Sequence, residues 1–105
     1  MAKNLAESIL ALVPRRYPTK AALAKAAALE LAGKNIRVNS VHPGPIDTDM
    51  LKDRGEEENL LRAQRVPMKR FGTKEEIAGL VLFLLSDESR YMTGSEVAMD
   101  GGISL

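Results

Sequence analysis

Few side chains in this 105-residue chain can carry out acid–base, nucleophilic or metal chemistry. The chain has no cysteine and a single histidine, His42, so thiolate metal sites are excluded and zinc ligands are scarce. Asp47 and Asp49 flank Thr48, but the sequence brings no further oxygen ligands to them, as a bound cation would require. We therefore interpret both carboxylates as solvated or as residues at a helix N-terminus, and His42 as a histidine of a loop.

The charge balance and the hydropathy exclude several classes of partner. Lys and Arg number 15 against 14 Asp and Glu, and a net charge of +1 gives no electrostatic footprint for nucleic acid or an anionic membrane. No apolar run reaches the roughly 18 residues of a membrane span. Residues 1–12 lack the pattern of a secretory signal peptide, because Glu7 interrupts the apolar stretch and no cleavage site follows. We therefore expect no nucleic-acid partner, no membrane partner and a cytoplasmic location.

Two helices are predicted in the first third of the chain. The first covers residues 3–13, whose apolar side chains share one helical face (Leu5, Ile9, Leu12 and Val13). The second covers residues 18–32, which are rich in alanine and leucine and begin with Pro18 in the first turn. Gly33 stands where a C-terminal glycine cap belongs.

A third helix is predicted after Thr73 from a capping box, in which the Thr73 oxygen and the Glu76 carboxylate each accept a backbone N–H. It runs to about residue 85 and ends in six consecutive apolar residues, Leu80–Leu85. A helix that is apolar all round requires burial on most sides. We interpret this run either as a satellite core helix with two exposed leucines or as a surface covered by a partner or by further chain.

Two short strands and two irregular segments complete the predicted elements. Residues 35–41 are rich in β-branched side chains, and residues 96–99 precede a glycine turn, so both are strand candidates. Residues 42–49 contain Pro43, Gly44 and Pro45 and are predicted to form a loop. The charged residues 48–66 are predicted to be weakly helical.

Four stretches of the sequence resemble the C-terminal half of a short-chain dehydrogenase/reductase. They are a helix and strand at residues 27–41, a proline-glycine loop at 42–50, a helix entry at 67–78, and Thr93-Gly94 with Asp100-Gly101-Gly102. Their order and spacing match the family over residues 19–102. The resemblance implies a doubly wound α/β fold that uses NAD or NADP to interconvert a carbonyl and an alcohol. Residues 50–66 resemble the family's mobile segment that covers the substrate, and a charged amphipathic helix is the alternative for them.

The resemblance also implies roles for particular residues. Tyr17 would be the general acid/base, and Lys20 would lower the pKa of the phenol and hold the nicotinamide ribose. A phenol with an ordinary pKa near 10 needs such a cation to act as a base near neutrality. The loop with Pro43, Gly44, Ile46 and Thr48 would lie along the nicotinamide, with its backbone on the carboxamide and the Thr48 hydroxyl on the cofactor (Lys20, Pro43, Gly44, Ile46 and Thr48 are thus the cofactor-binding candidates).

The spacing of the Tyr–Lys pair departs from the family pattern. Two residues, Pro18 and Thr19, separate Tyr17 from Lys20 where the family has three. Pro18 also biases Tyr17 away from helical geometry. Lys20 lies about three residues closer to Glu30 than is usual in the family, which shortens the helix by nearly one turn.

The residues before the pair depart from the family as well. The family's dinucleotide site needs a glycine-rich turn after the first strand, and no glycine precedes Gly33. The family's catalytic serine lies on a strand about a dozen residues before the tyrosine. Ser8 lies nine residues before Tyr17 in a segment predicted to be helical, so we do not assign it that role.

We expect residues 1–105 to form a single partial domain, with an N-terminal helix in residues 1–16 and a dehydrogenase-like half in residues 17–105. This partial Rossmann-type fold would hold two short parallel strands and three or four helices. One hypothesis is NAD(P)-dependent oxidoreduction of a carbonyl or secondary alcohol, with Tyr17 and Lys20 at the reacting centre. The alternative is a non-catalytic fragment or assembly module that self-associates or pairs with another chain. We expect a homo-oligomer, no measurable cofactor binding by this chain alone, and a carbonyl or alcohol substrate only if the dinucleotide-binding half is supplied.

Overall fold

Three parallel strands form one sheet in the computed structural model, which describes residues 8–12 and 18–105. The strands are β1 (Ser8–Leu12), β2 (Arg37–Pro43) and β3 (Glu96–Met99), in the order β1-β2-β3. Among the described residues the helices are α1 (Pro18–Leu31), α2 (Glu56–Gln64) and α3 (Lys74–Leu85), with 3-10 turns at Ala32–Lys34, Asp49–Asp53 and Asp87–Ser89. The α/β class and the strands near 36–41 and 96–99 are therefore confirmed.

The N-terminal helix predicted over residues 3–13 is wrong where the structure describes it, because Ser8–Leu12 is a strand. It pairs in parallel with β2, from Ser8 opposite Arg37 to Leu12 opposite Val41. A short apolar run bounded by turns is equally compatible with a buried strand and a helix segment, and long-range pairing decides between them. Strand β2 is therefore flanked on both sides, by β1 and by β3. Within the part of the chain that the structure describes, the edges of the sheet without a partner strand are the outer edges of β1 and β3.

The middle strand is covered on both faces. Its four consecutive residues 38–41 are all buried, although alternate residues of a strand point to opposite faces. Burial of both faces is typical of a parallel sheet flanked by helices. On one face Val38 packs in a cluster with Ala24 and Ala28 of α1.

The end of α1 differs from the prediction in its capping residue. Gly33 lies inside the 3-10 turn, and Asn35 takes the left-handed conformation at φ 62° and donates its N–H to the Ala32 carbonyl. Asparagine tolerates this conformation better than most residues with a Cβ, so the glycine was not needed for the cap.

Side chains of β2 anchor the connection between α3 and β3. The Arg37 guanidinium donates to the carbonyls of Leu84 at 2.9 Å and Met92 at 3.2 Å. A cation at a helix C-terminus is favourable because the free carbonyls there are partly negative. The Asn39 carboxamide accepts the Ser95 N–H at 3.1 Å and donates to the Met92 carbonyl, and it is fully buried. These contacts hold α3 and β3 in position relative to β2.

The apolar run at the end of α3 is only partly covered. Leu84 is fully buried, whereas Leu82 is 68% and Phe83 39% exposed. The helix therefore supplies one core residue and presents large apolar side chains to solvent. No helix of the described residues is long and apolar enough to cross a membrane.

Candidate active site

The candidate residues lie toward the carboxyl edge of the sheet. Helix α1 runs antiparallel to β2, because Ala28 packs against Val38 while Lys25 pairs at 3.1 Å with Glu96, which is further along the strands opposite Ser40. Lys20 lies five residues before Lys25, about 7.5 Å further along the helix axis. Its backbone therefore lies toward the edge at which the loop after β2 leaves the sheet, where ligands bind in open α/β sheets.

The loop after β2 is packed tightly against the turn after β3. Gly44 donates its N–H to the Met99 carbonyl at 3.0 Å. A Cβ at Gly44 would stand 2.6 Å from the Asp100 Cβ and 2.7 Å from the Asp100 Cα, so only glycine fits there. The Pro-Gly loop and the Asp100-Gly101-Gly102 turn, which are 56 residues apart at Gly44 and Asp100, are thus parts of one junction.

A second contact holds the loop at Ile46, which forms a parallel bridge with Gly72. The Asp47 N–H donates to the Gly72 carbonyl at 2.8 Å, and the Gly72 N–H donates to the Pro45 carbonyl at 3.0 Å. These bonds use the backbone groups on either side of Ile46. Within the described residues, the N–H and C=O of Ile46 itself have no hydrogen-bond partner.

The segment on the other side of this bridge is fixed by a charged cluster. The Arg70 guanidinium donates to both carboxylate oxygens of Glu76, at 2.8 and 2.9 Å. Glu76 also accepts the Thr73 N–H at 2.9 Å, and Thr73 Oγ1 accepts the Glu76 N–H at 3.1 Å, which confirms the predicted capping box. The hydrogen bond from Arg70, followed by that from the Thr73 backbone, lowers the pKa of Glu76 to about 2.

The structure places the predicted cofactor-binding residues in different elements. Pro43, predicted in the loop, is the last residue of β2, and Gly44, Ile46 and Thr48 lie in the loop that follows it. Lys20 is an exposed residue in the first turn of α1. The Thr48 side chain makes no capping hydrogen bond to the 3-10 turn that follows. Tyr17 lies outside the described residues, so the catalytic role of the Tyr17–Lys20 pair stays a prediction.

A nicotinamide carboxamide fits the groups that this loop leaves unpaired. A carboxamide carries both donors and an acceptor, and the backbone C=O and N–H of Ile46 offer an acceptor and a donor that are unpaired among the described residues. The Thr48 hydroxyl can donate and accept close by. The residues present therefore suit the nicotinamide end of a dinucleotide.

Ser8 cannot take the place of a catalytic serine in this sheet. It is the first residue of β1, opposite Arg37, the first residue of β2. The loop of candidate residues leaves from the other end of β2, about 20 Å away along seven residues. Ser8 therefore lies at the amino end of the strands, opposite the end that carries the candidate residues. The sequence analysis likewise did not assign it the role of the catalytic serine.

The remaining polar candidates lie in a strand or are exposed at the protein surface. His42 is a residue of β2 and not of a loop, which corrects the prediction; its Nε2 lies 3.3 Å from Ser40 Oγ and 3.6 Å from Glu96 Oε1. Asp47 and Asp49 are exposed, and Asp49 opens a 3-10 turn and lies 3.7 Å from Lys52 Nζ. Among the described residues no three potential metal ligands form a group that could hold an ion.

A cavity of about 500 Å³ lies beside the loop, and the sequence did not predict it. Its walls include Ile46 and Thr48 together with three arginines, Arg54, Arg62 and Arg65. The arginines are 8 and 3 residues apart and come from the end of a 3-10 turn and from α2 and its end. The sequence indicated only that residues 48–66 are charged and that residues 50–66 resemble the family's substrate-covering segment. Neither observation shows which side chains line the same cavity.

A parallel sheet flanked by helices, with a loop of unpaired polar groups at its carboxyl edge, defines a Rossmann-type α/β protein. A family described as enoyl-(acyl carrier protein) reductase matches residues 18–104. The chain belongs to the short-chain dehydrogenase/reductase family.

Relatives of known activity and solved structures agree with this assignment. The 3-oxoacyl-(acyl-carrier-protein) reductase of Thermotoga maritima is 48% identical over 81 residues, which are 77% of this chain and 33% of that protein. The cyclohexanol dehydrogenase of an Acinetobacter species is 48% identical over 79 residues, 75% of this chain and 30% of that protein. A short-chain dehydrogenase/reductase from Mycobacterium marinum superposes with a TM-score of 0.83 and 33% identity, covering 98% of this chain and 46% of its own.

YwfH, an NADPH-dependent reductase involved in bacilysin biosynthesis, superposes with a TM-score of 0.82 and 29% identity, covering 90% of this chain and 46% of its own. The chain thus spans about a third of the curated relatives it matches and just under half of the solved structures.

Proposed function

We propose that residues 17–105 supply the nicotinamide and substrate half of an NAD(P)-dependent oxidoreductase site, within a single partial domain. The observation that carries the proposal is the loop at Ile46, whose neighbours Pro45 and Asp47 are tied to Gly72 while its own N–H and C=O are unpaired among the described residues. A loop whose backbone is held at Pro45 and Asp47, while the N–H and C=O of Ile46 between them are left unpaired among the described residues, is preorganised to bind a carboxamide.

The other residues would divide the work at the reacting centre. Lys20, in the first turn of α1, would hold the nicotinamide ribose and stabilise the Tyr17 phenolate, and Tyr17 would exchange a proton with the substrate oxygen. The bound nicotinamide would supply or accept the hydride. Thr48 would orient the cofactor through its hydroxyl, and the cavity beside it would receive a carbonyl or secondary alcohol. The named relatives act on compounds of these two kinds, a 3-oxoacyl group and cyclohexanol.

The proposal is tested with two chimeras that add the preceding half of the Thermotoga relative to residues 17–105. The first keeps the Tyr17-Pro18-Thr19-Lys20 order, and the second inserts one serine after Tyr17 to restore three intervening residues. We expect both to bind NADPH or NADH, because both contain the Ile46–Thr48 loop. We expect only the second to oxidise the nicotinamide in the presence of a ketone, followed by absorbance.

Lys20→Met in the second chimera is the matched control and should abolish turnover. A folded chimera that binds neither cofactor would overturn the proposal for the loop. Turnover by the first chimera that Tyr17→Phe removes would show that the two-residue spacing is functional and that our interpretation of the register is wrong.

A second candidate function is that of an assembly module, and specific surfaces favour it. Leu82 and Phe83 are exposed at the end of α3, and Leu23 and Leu29 of α1 are 71% and 85% exposed. The outer edge of β1 carries backbone groups without a partner strand among the described residues, and such an edge can pair with another chain. We propose that the chain forms a homo-oligomer through these surfaces.

A further inference from the structure

The three arginines beside the loop face a cavity whose walls hold no carboxylate of the described residues. Arg54, Arg62 and Arg65 line it, and no aspartate or glutamate within residues 8–12 and 18–105 does. Arg62 lies 3.4 Å from Glu58, but both side chains are about half exposed, and such surface pairs contribute little and are easily replaced. The side chains of Arg54 and Arg65 make no ion pair or hydrogen bond with any other residue that the structure describes.

Helix geometry brings two of these cations to one side. Arg62 and Arg65 are three residues apart at the end of α2, so they lie on the same face of the helix. Arg54 precedes the helix, at the end of the Asp49–Asp53 turn, and reaches the same cavity. A cleft lined by charges of one sign raises the local concentration of the opposite ion. Guanidinium groups also present paired N–H donors that match the two oxygens of a carboxylate or phosphate.

Apart from Thr48, the remaining walls of the cavity are apolar. They are formed by Ile46, Leu51, Phe71 and Ile103, together with Pro45. A volume of about 500 Å³ lies within the usual range for small-molecule sites and exceeds what a bare inorganic anion needs. The walls therefore suit a ligand with an apolar body and one anionic group.

We infer that this cavity binds a substrate composed of an apolar carbon chain and a carboxylate or phosphate ester, with the charge held by Arg54, Arg62 and Arg65. The inference deepens the proposed function, because Ile46 and Thr48 belong both to the cavity and to the proposed nicotinamide loop. An apolar chain along Ile46 would bring the reacting carbon of such a substrate to the nicotinamide, while the arginines set its orientation from the other end.

The test is an NMR titration of the 105-residue chain with four probes: sodium hexanoate, sodium acetate, 1-hexanol and inorganic pyrophosphate. We expect hexanoate to give saturable shifts in the amides of residues 46–65 and in the arginine Nε–H signals. Hexanoate should bind about tenfold more tightly than acetate, since methylene groups leave water. It should also bind about tenfold more tightly than hexanol, because only the carboxylate pairs with guanidinium groups.

The double variant Arg54→Gln/Arg65→Gln should weaken hexanoate binding about tenfold without changing the folded spectrum, because both side chains are exposed. Arg90→Gln is the matched control: Arg90 is exposed, bonds to the Asp87 carbonyl and does not line the cavity, so affinity should not change. Arg65→Lys keeps the charge but loses the paired donors, so its affinity for hexanoate should lie between those of the double variant and the control.

Several outcomes would overturn the inference. Equal affinity for hexanol and hexanoate would show that charge is not recognised. Tight pyrophosphate binding with no advantage of hexanoate over acetate would show that the arginines serve the phosphates of a dinucleotide and not an apolar substrate. Unchanged affinity in the double variant would also contradict it. The titration contains no nicotinamide, so its failure is distinguishable from failure of the chimeras to bind cofactor.

Discussion

Glu76 connects the start of α3 to the candidate cofactor loop. Its carboxylate accepts two hydrogen bonds from Arg70 and one from the Thr73 backbone. Gly72, which lies between these residues, forms both hydrogen bonds of the bridge to the loop. The Glu76 carboxylate therefore caps the helix and bonds to residues on both sides of Gly72, which carries the bonds to the loop.

We predict that Glu76→Gln removes a pH dependence of stability in acid. The folded-state pKa of Glu76 is about 2, below the ordinary value of 4.5, so the ionised form stabilises the fold above about pH 4.5. This stabilisation falls as the pH drops from about 4.5 through about 2. Melting temperatures measured across this range should decline less steeply in the variant, which should also melt lower near neutrality.

Glu75→Gln is the matched control for this prediction. Glu75 lies in the same first turn and loses the same charge at the positive end of the helix, but it makes none of the bonds to Arg70 or Thr73. It should retain the acid decline of the wild type. Identical profiles for the two variants would show that the Arg70 pair contributes nothing measurable.

We predict that Thr73→Ala lowers the free energy of unfolding by about 1 kcal/mol, as is typical for loss of an N-cap side chain. Thr48→Ala is the comparison, because Thr48 has a similar extended backbone before a 3-10 turn but makes no capping hydrogen bond. Urea unfolding of both variants measures the difference. Equal losses would mean that the Thr73 bond is replaced by water at no cost.

At the scale of elements, the junction between the loop after β2 and the turn after β3 tolerates no side chain at Gly44. The Asp100 backbone and Cβ lie within 2.7 Å of the position that a Cβ would take. The turn is constrained from the other side as well, since Gly101 has φ +65° and a Cβ there would stand 2.6 Å from Val66 Cγ1. Each strand end therefore depends on a glycine at a close approach.

We predict that Gly44→Ala destabilises the fold by about 1–3 kcal/mol, because overpacking forces the two backbones apart. Gly79→Ala is the comparison variant, for which we expect a change in stability of the opposite sign. Gly79 lies in α3 with no atom within 4 Å of a built Cβ, so alanine should stabilise the helix by about 0.5–1 kcal/mol. Chemical denaturation measures both. Stabilisation or no change in Gly44→Ala would contradict the close approach.

At the scale of the whole molecule, the chain buries little of its apolar surface at the end of α3. Leu82 and Phe83 remain exposed beside the fully buried Leu84. Each large apolar side chain left in water forgoes roughly 1.5–3 kcal/mol of burial. Association that covers these residues would recover part of this free energy.

We predict a dimer or larger species in light scattering at about 100 µM, roughly a hundredfold above a micromolar dissociation constant. Leu82→Glu should shift the chain toward the monomer, because it places a charge in the surface that association would cover. Leu60→Glu is the control, since Leu60 is 63% exposed on α2 and outside this surface. A compact monomer with a sharp cooperative melt would contradict the prediction.

We also predict that the 105-residue chain alone binds NAD and NADP with a dissociation constant weaker than about 1 mM, equivalent to about −4 kcal/mol. The loop at Ile46 suits only the nicotinamide end, and no glycine precedes Gly33 to form a pyrophosphate turn. Calorimetry with either cofactor measures the affinity. Micromolar binding would show that the pyrophosphate is held by residues outside the family pattern.

Local signals in the sequence were sufficient to predict the elements that are defined by contacts between residues a few positions apart. The capping box at Thr73, the alanine-rich α1 after Pro18 and the Pro-Gly loop were predicted from residues only a few positions apart, because the bonds that define them span one turn. The resemblance to the family also located the loop of Gly44, Ile46 and Thr48 from its spacing.

Only the tertiary structure decided what depends on distant partners. Residues 8–12 form a strand because β2 supplies their hydrogen-bond partners. The spacing of their apolar side chains does not show that this partner is present. The need for glycine at Gly44 comes from Asp100, and the cavity exists because α2 and the loop bring Arg54, Arg62 and Arg65 around one space. Local sequence sets backbone preference over a turn or two, whereas the pairing of edges and the walls of a site are set by contacts between residues far apart in the chain.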